Sequence, residues 1–255
     1  MPDLRSPLDE VLFKLTQTHL AKLQEYVPGP VRKAGGAKEH LIARYRADPV
    51  FSIWGLDSAE YAAATLSGGT ITSIHRKLGD IYQDSVKTIF MTALGQTAEH
   101  VAYSAVIVSG SIEETRTADA YLQFNRLETS ARKRINAWCR AELRKLTAKP
   151  KVKLIGIGME IRHCYQTGDS KRTQADEAMA RHLLVSGILP VMPLFCNQSN
   201  PTVIERYRSV WIVKQGVESY QLIERLSGYD YFDFLKRNRD EFRQPILKVL
   251  RSLTE

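Results

Sequence analysis

Residues 152–163 read VKLIGIGMEIRH, and they predict a β-strand that is apolar at its start and charged at its end. Two helices, predicted at residues 131–146 and 173–186, lie before and after it in the chain. Strands that alternate with helices in this way predict an α/β fold, with a central mixed β-sheet flanked by helices. The other predicted strands are residues 101–108 (VAYSAVIV), 118–124 (ADAYLQF), 189–196 (LPVMPLFC) and 211–213 (WIV).

The remainder of the chain predicts helices. Apolar residues recur at helical spacing through most of residues 1–95, and again near the C-terminus. No internal repeat or low-complexity linker separates these helices from the strands. We therefore expect a single domain over residues 1–255. It would have a helical part at 1–95 packed on an α/β core at 96–235, and a C-terminal helix at 236–255.

Positive charge is concentrated in one part of the chain. The sequence has 36 Lys and Arg against 28 Asp and Glu, a formal net charge of +8. Ten of these cations lie within residues 126–153, where only Glu128 and Glu142 oppose them. Such a field attracts polyanions such as DNA, although a solvated helix face would show the same composition. The cations of this cluster expected to contact DNA are Arg132, Lys133, Arg134 and Arg140.

Several classes of protein are not expected. The longest apolar stretch, residues 188–196, contains two prolines and is far shorter than the roughly 20 residues that span a bilayer. The N-terminus lacks the apolar core of a signal peptide. The three cysteines are widely spaced and form no CxxC pair, so we expect reduced thiols rather than a disulfide or zinc site. These features predict a cytoplasmic protein with no membrane segment.

Two carboxylates occupy predicted strands that are otherwise mostly apolar. Asp119 lies in the strand at 118–124, and Glu160 lies near the charged end of the strand at 152–163. Burying an unpaired carboxylate is costly, so something must compensate each charge. A shared Mg²⁺ would do so, since hard cations prefer oxygen ligands. Arg162 would do so as well, because residues two apart on a strand face the same side. Two structural salt bridges therefore remain the alternative to a metal site.

Residues 71–235 resemble the PD-(D/E)XK nuclease superfamily, and most closely the Type II restriction endonucleases. The resemblance lies in the order of elements: a long helix (SIHRKLGDIYQDSVKTIF, 73–90), a strand with Asp119, a strand with Glu160 and Arg162, a helix, and the apolar strand LPVMPLFC. It implies a restriction-endonuclease-like fold with residues 96–235 as the catalytic core. It also implies Mg²⁺-dependent hydrolysis of double-stranded DNA by a homodimer that reads a short palindrome, with Asp119 and Glu160 as the metal ligands.

The chain departs from the family pattern in two places. Arg162 stands where the family has lysine, and arginine stays protonated, so it can stabilise charge but cannot act as a general base. Lys171 could supply the missing amine, and the catalytic set is therefore Asp119, Glu160, Arg162 and Lys171. In a second registration of this chain against the family motif, Glu160 is the first acid, and Asp169 and Lys171 form the acid-X-lysine pair.

The second departure concerns the early helix, where the family often has an acid and this chain has Gln83 between Asp80 and Asp84. Lys171 and Arg172 follow the strand predicted at 152–163 and lie at the start of a predicted helix, where they are expected to contact phosphate.

Two other functions explain the same residues. A DNA- or RNA-binding protein without catalysis would keep the basic cluster and use Asp119 and Glu160 as salt-bridge partners. Another DNA enzyme, such as a repair or transposition nuclease or a metal-independent base-excising enzyme, would also fit the charge pattern.

Overall fold

The computed structural model describes residues 1–24, 38–67, 70–109, 112–146, 153–165 and 170–251. These residues form two compact units. The first unit comprises Met1–Ser85 and Asp230–Glu255, and the second comprises Val86–Tyr229. The boundaries predicted at residues 95 and 235 stay predictions. The expectation that residues 1–255 act as a single nuclease domain stays a prediction.

The secondary structure follows the predicted alternation of strands and helices. In chain order, the described helices are α1 (Pro7–Gln24), α2 (Lys38–Arg46), α3 (Pro49–Ile53), α4 (Ala59–Ser67), α5 (Thr70–Ala93), α6 (Thr129–Leu143), α7 (Ser170–Val185), α8 (Pro201–Tyr207), α9 (Val217–Ser227), α10 (Tyr231–Arg237) and α11 (Arg239–Arg251). The described strands are β1 (Tyr103–Ser109), β2 (Ile112–Ala118), β3 (Ala120–Gln123), β4 (Gly156–Met159), β5 (Ile188–Leu194) and β6 (Ile212–Gln215).

The first unit is a helical assembly around an aromatic core. Trp54 is fully buried, stacks on Phe242 and donates a hydrogen bond from its indole Nε1 to the hydroxyl of Tyr82 (2.6 Å). A buried ion pair joins Asp9 of α1 to Arg237 of α10 (2.9 Å). The helical character predicted for the N-terminal part is therefore observed in this unit.

The second unit contains the sheet. Its four strands lie in the order β3-β4-β5-β6, with β3 antiparallel to β4 and the other neighbours parallel. The sheet is thus mixed and flanked by helices, as the sequence predicts. Strands β1 and β2 form a separate antiparallel hairpin. Buried residues of this hairpin, of α7 and of β5 share one apolar core.

One close approach explains a glycine in the central strand. A Cβ atom on Gly158 of β4 would lie 2.9 Å from the side chain of Leu183 on α7. Real Cβ atoms keep a greater distance from their neighbours, so glycine here lets α7 pack tightly against the sheet.

The structure corrects several predicted boundaries. The strand predicted at 118–124 is interrupted at Asp119, which separates β2 from β3. Of the strand predicted at 152–163, the described residues 153–163 form a named strand at Gly156–Met159, and Glu160 follows it directly. The C-terminal helix predicted to begin at residue 236 begins three residues later, as α11, and is preceded by α10. Among the described residues, no helix is both long and apolar enough to cross a membrane.

Candidate active site

Asp119 and Glu160 lie side by side at one end of the β3–β4 ladder. The antiparallel ladder ends at the pair of Ala120 and Met159, and Asp119 and Glu160 are the next residues beyond that end. The backbone N–H of Asp119 donates to the carbonyl of Met159 (2.8 Å), so the regular pairing of the two strands stops here.

Arg162 contacts both carboxylates. Its Nη1 donates to Oδ2 of Asp119 (2.9 Å), and its Nη2 forms an ion pair with Oε1 of Glu160. Backbone hydrogen bonds hold the segment in place against β5: the N–H of Arg162 donates to the carbonyl of Pro193 (3.1 Å), and the N–H of Phe195 donates to the carbonyl of Arg162 (3.0 Å). The side chains of Glu160 and Arg162 therefore face one site, which is the arrangement that alternation along an extended segment predicts.

The three side chains are largely shielded from solvent. The exposed fraction of the side chain is 8% for Glu160 and 17% for both Asp119 and Arg162. Burial raises the pKa of Asp119, although the charge of Arg162 and the N–H of Ile161, which donates to Oδ2 (2.7 Å), act to lower it. The folded protein thus disfavours the charged form of Asp119, and additional positive charge would favour it.

Lys87 is a site residue that the sequence did not single out. The positive charge of this half-buried side chain of α5 acts to lower the pKa of Asp119. It stands four residues after Gln83, on the same stripe of the helix, which is the signal that could have found it. The acids beside Gln83 have other partners, since Asp80 pairs with Lys77 (2.8 Å) and Asp84 with His19 (2.9 Å).

The structure places the other predicted cation, Lys171, in the first turn of α7, with its side chain exposed. The guanidinium of its neighbour Arg172 lies 5.6 Å from the ring centroid of Tyr165. Asp169, on which the second registration depends, lies outside the described residues. The residues that the structure brings together around one point are therefore Asp119, Glu160 and Arg162.

A third buried carboxylate, Asp176 of α7, binds two tyrosines. Its Oδ2 accepts hydrogen bonds from the hydroxyls of Tyr207 (2.9 Å) and Tyr165. Burial and the charge of Asp176 raise the pKa of Tyr165, so both hydroxyls stay protonated as donors. The charge of Asp176 also acts to raise the pKa of Asp119. This network fixes α7 beside the site and was not visible in the sequence, because its members are distant in the chain.

The cluster of cations expected to contact DNA divides into different environments. Arg134 donates hydrogen bonds to the carbonyls of Arg225 (2.8 Å) and Leu226 (3.0 Å), so it caps the end of α9. Lys133 is exposed on α6, and Arg132 and Arg140 line a cleft on the same helix. Of these four cations, Arg134 therefore has a structural role, which is to stabilise the end of α9.

The cysteines differ from expectation. The structure joins Cys164 to Cys196 as a disulfide, with Cα atoms 5.6 Å apart, so the prediction of three separate thiols was wrong. The bond links the residue two positions after Arg162 to the residue two positions after Leu194, and Arg162 and Leu194 form a parallel β-bridge. Cys139 is a buried free thiol, and burial raises its pKa to about 12.

Comparison of the chain with protein-family models, with curated proteins and with solved structures gives no match. The resemblance to restriction endonucleases therefore stays a prediction from this chain's own residues and the order of its elements.

Proposed function

We propose that the protein is a Mg²⁺-dependent endodeoxyribonuclease of the restriction type, which cuts both strands of double-stranded DNA at a specific sequence and works as a homodimer. The observation that carries the proposal is the juxtaposition of Asp119 and Glu160 on one face, around Arg162. Two adjacent carboxylates beside arginine and lysine side chains are suited to bind a metal ion and a phosphodiester.

The donor set fits Mg²⁺. Both proposed ligands are carboxylates, and burial disfavours the charge on Asp119, which a hard divalent cation would stabilise. Bound there, the ion would polarise the phosphate and lower the pKa of a water molecule.

The protein's own residues supply the remaining functions. Arg162 is permanently charged, and its guanidinium group can turn from the carboxylates towards the scissile phosphate. There it can stabilise the negative charge that develops in the transition state. Lys87 adds a second cation to the same field. Lys171 and Arg172 are proposed to contact the phosphate backbone from the first turn of α7, where the helix dipole favours an anion.

A non-catalytic nucleic-acid-binding protein is the second candidate. One observation favours it: Arg162 already pairs with both carboxylates, which is the structural salt bridge that would compensate them without a metal. Under this interpretation the acidic pair stabilises the sheet edge, and the exposed cations alone bind DNA.

The deciding experiment incubates plasmid DNA with the purified protein, first with Mg²⁺ and then with EDTA. Discrete Mg²⁺-dependent fragments are expected, and their ends would give the recognition sequence and the stagger. Smearing would indicate a nuclease without sequence specificity. Retention of uncut DNA would support the binding protein, and damage that persists in EDTA would indicate a base-excising enzyme.

A further inference from the structure

A cleft of about 710 Å³ lies in the second unit, away from the acidic pair. One wall is the face of α6, and the other is formed by the end of β3, the turn that follows it and the segment that leads into β4. The cleft is lined by Gln123, Phe124, Asn125, Arg132, Asn136, Arg140, Leu143, Lys153, Leu154 and Ile155. Its volume lies within the roughly 300–1,000 Å³ that small-molecule sites occupy.

The strand register separates this cleft from the acidic pair. The N–H of Phe124 donates to the carbonyl of Ile155 (2.9 Å), and this contact extends the β3–β4 ladder at the end opposite to Asp119 and Glu160. Phe124 is five residues along the chain from Asp119, which corresponds to about 16 Å of extended strand. A ligand in the cleft would therefore not touch the proposed nuclease site.

The charge in the cleft is entirely positive. Arg132 and Arg140 lie two turns of α6 apart on one helix face, with Asn136 between them, and Lys153 lies on the opposite wall. Among the described residues, no carboxylate lies within 4.0 Å of the charged groups of these three cations. Three like charges that line one concave surface create a positive field, which favours a multiply charged anion such as a phosphate.

The rest of the lining can bind a planar, polar ring. Leu154 is half-buried and Ile155 is 47% exposed, so both present apolar surface to the cleft. Asn125 and Asn136 each offer an amide donor and a carbonyl acceptor. An apolar surface beside a few carboxamides matches the needs of a nucleobase, whose faces are apolar and whose edges form hydrogen bonds.

We propose that this cleft binds a nucleoside 5′-phosphate, with the phosphate held by Arg132, Arg140 and Lys153 and the base packed on Leu154 and Ile155. The ligand is either a free nucleotide or the phosphorylated end of a nucleic-acid strand, since both carry the same group. The proposal does not depend on the nuclease activity, because it uses none of the residues assigned to the acidic site.

The test is a calorimetric titration of the full chain in EDTA, which keeps the acidic pair free of divalent cations. The probes are adenosine 5′-phosphate, adenosine, inorganic phosphate and a 5′-phosphorylated tetranucleotide. We expect saturable binding of adenosine 5′-phosphate, and binding at least tenfold weaker for adenosine and for phosphate, because each retains only half of the contacts. Tighter binding of the tetranucleotide would identify a strand end as the ligand, and equal or weaker binding would identify the free nucleotide.

Variants locate the binding. Arg140→Ala should weaken binding of adenosine 5′-phosphate at least tenfold, and Ile155→Ala should weaken it less while leaving the affinity for inorganic phosphate unchanged. Arg181→Ala is the matched control, since it removes an exposed cation from α7 and should have no effect. Absence of binding at millimolar nucleotide, equal losses in Arg140→Ala and Arg181→Ala, or phosphate affinity equal to nucleotide affinity would each overturn the proposal. Failure of plasmid cleavage would leave it unaffected.

Discussion

Asp119 and Glu160 each lie one position beyond the last pair of the β3–β4 ladder, and the guanidinium of Arg162 contacts both carboxylates. The relationship places two acids on one face of the sheet edge with a cation between them. Burial raises the pKa of Asp119 although this cation acts to lower it, and a bound divalent cation would favour the charged form of the carboxyl group. The following tests ask whether the pair binds such a cation or serves as a salt bridge.

The first prediction concerns catalysis. Asp119→Asn and Glu160→Gln should each reduce Mg²⁺-dependent plasmid cleavage at least about 100-fold, because each removes a charged ligand without changing side-chain volume. DNA retention in a mobility-shift assay should persist, since the exposed cations remain.

Glu142→Gln is the matched control for this experiment. Its side chain is 8% exposed, like that of Glu160, and it pairs with Lys145 and Lys214 away from the site. This variant should cleave at the wild-type rate. Cleavage by Asp119→Asn or Glu160→Gln at a rate close to that of Glu142→Gln would remove the proposed active site.

The second prediction concerns stability against pH. The folded pKa of Asp119 lies above its ordinary value of 3.8, so the wild type loses stability as pH rises from 3.8 through the folded pKa. Asp119→Asn has no such titration. The variant should therefore be more stable than the wild type at pH 7, and this advantage should disappear below pH 3.8. Urea unfolding at pH 7 and pH 3 measures both differences; a variant less stable than the wild type at pH 7 would indicate a structural salt bridge.

Local pattern accounts for the part of the site that the sequence could predict. Glu160 and Arg162 are two residues apart on extended chain, and this spacing alone puts their side chains on one face. The break between strands β2 and β3 at Asp119 was not predictable from the sequence. The reason is that β2 (IEETRTA) is polar and lacks the apolar character of a buried strand. Lys87 and the disulfide depend on tertiary packing between segments that are distant in the sequence.

Two short helices were also difficult to predict from the sequence, because each begins at a capping residue followed by proline. Asp48 and Pro49 follow α2 and begin α3, since the side chain of Asp48 accepts from the N–H of Val50 (2.9 Å). Asn200 and Pro201 begin α8 in the same way, with a hydrogen bond from the N–H of Thr202 (3.0 Å). A capping residue followed by proline signals both a turn and a helix start, so short helices at such positions are easily missed.

The third prediction separates the two roles of Arg162. Arg162→Ala leaves two adjacent carboxylates without their shared cation, and their repulsion should destabilise the second unit. Added Mg²⁺ or Ca²⁺ should restore stability, and it should raise the melting temperature of the variant more than that of the wild type. Thermal unfolding across a cation titration measures this difference. Equal shifts in both proteins would show that the pair does not bind a divalent cation.

The fourth prediction concerns the disulfide. In the oxidised native protein a thiol reagent should find no reactive cysteine, because Cys139 is buried and burial raises its pKa to about 12. Denaturation should expose one thiol, and denaturation with reductant should expose three. The bond spans a sequence separation of 32 residues. Its reduction, or the Cys196→Ser substitution, should lower the free energy of unfolding by roughly 3–4 kcal/mol on the chain-entropy model. Two thiols or more in the denatured, unreduced chain would contradict the pairing.

The fifth prediction concerns His75 of α5. Burial lowers the pKa of its imidazole from 6.5 to about 4, and the hydroxyl of Tyr61 lies 2.6 Å from its Nε2. A histidine whose folded pKa is lowered stays neutral in the folded state while the unfolded chain takes up a proton, so stability falls as pH drops from 6.5 to 4. The loss should reach roughly 3 kcal/mol, since each pKa unit is worth about 1.4 kcal/mol. His75→Gln lacks this titration, so the stability of the wild type relative to the variant should fall by that amount between pH 7 and pH 4 in urea unfolding. Parallel stability profiles of the two proteins would show that His75 is protonated in the folded state, with its side chain accessible to water.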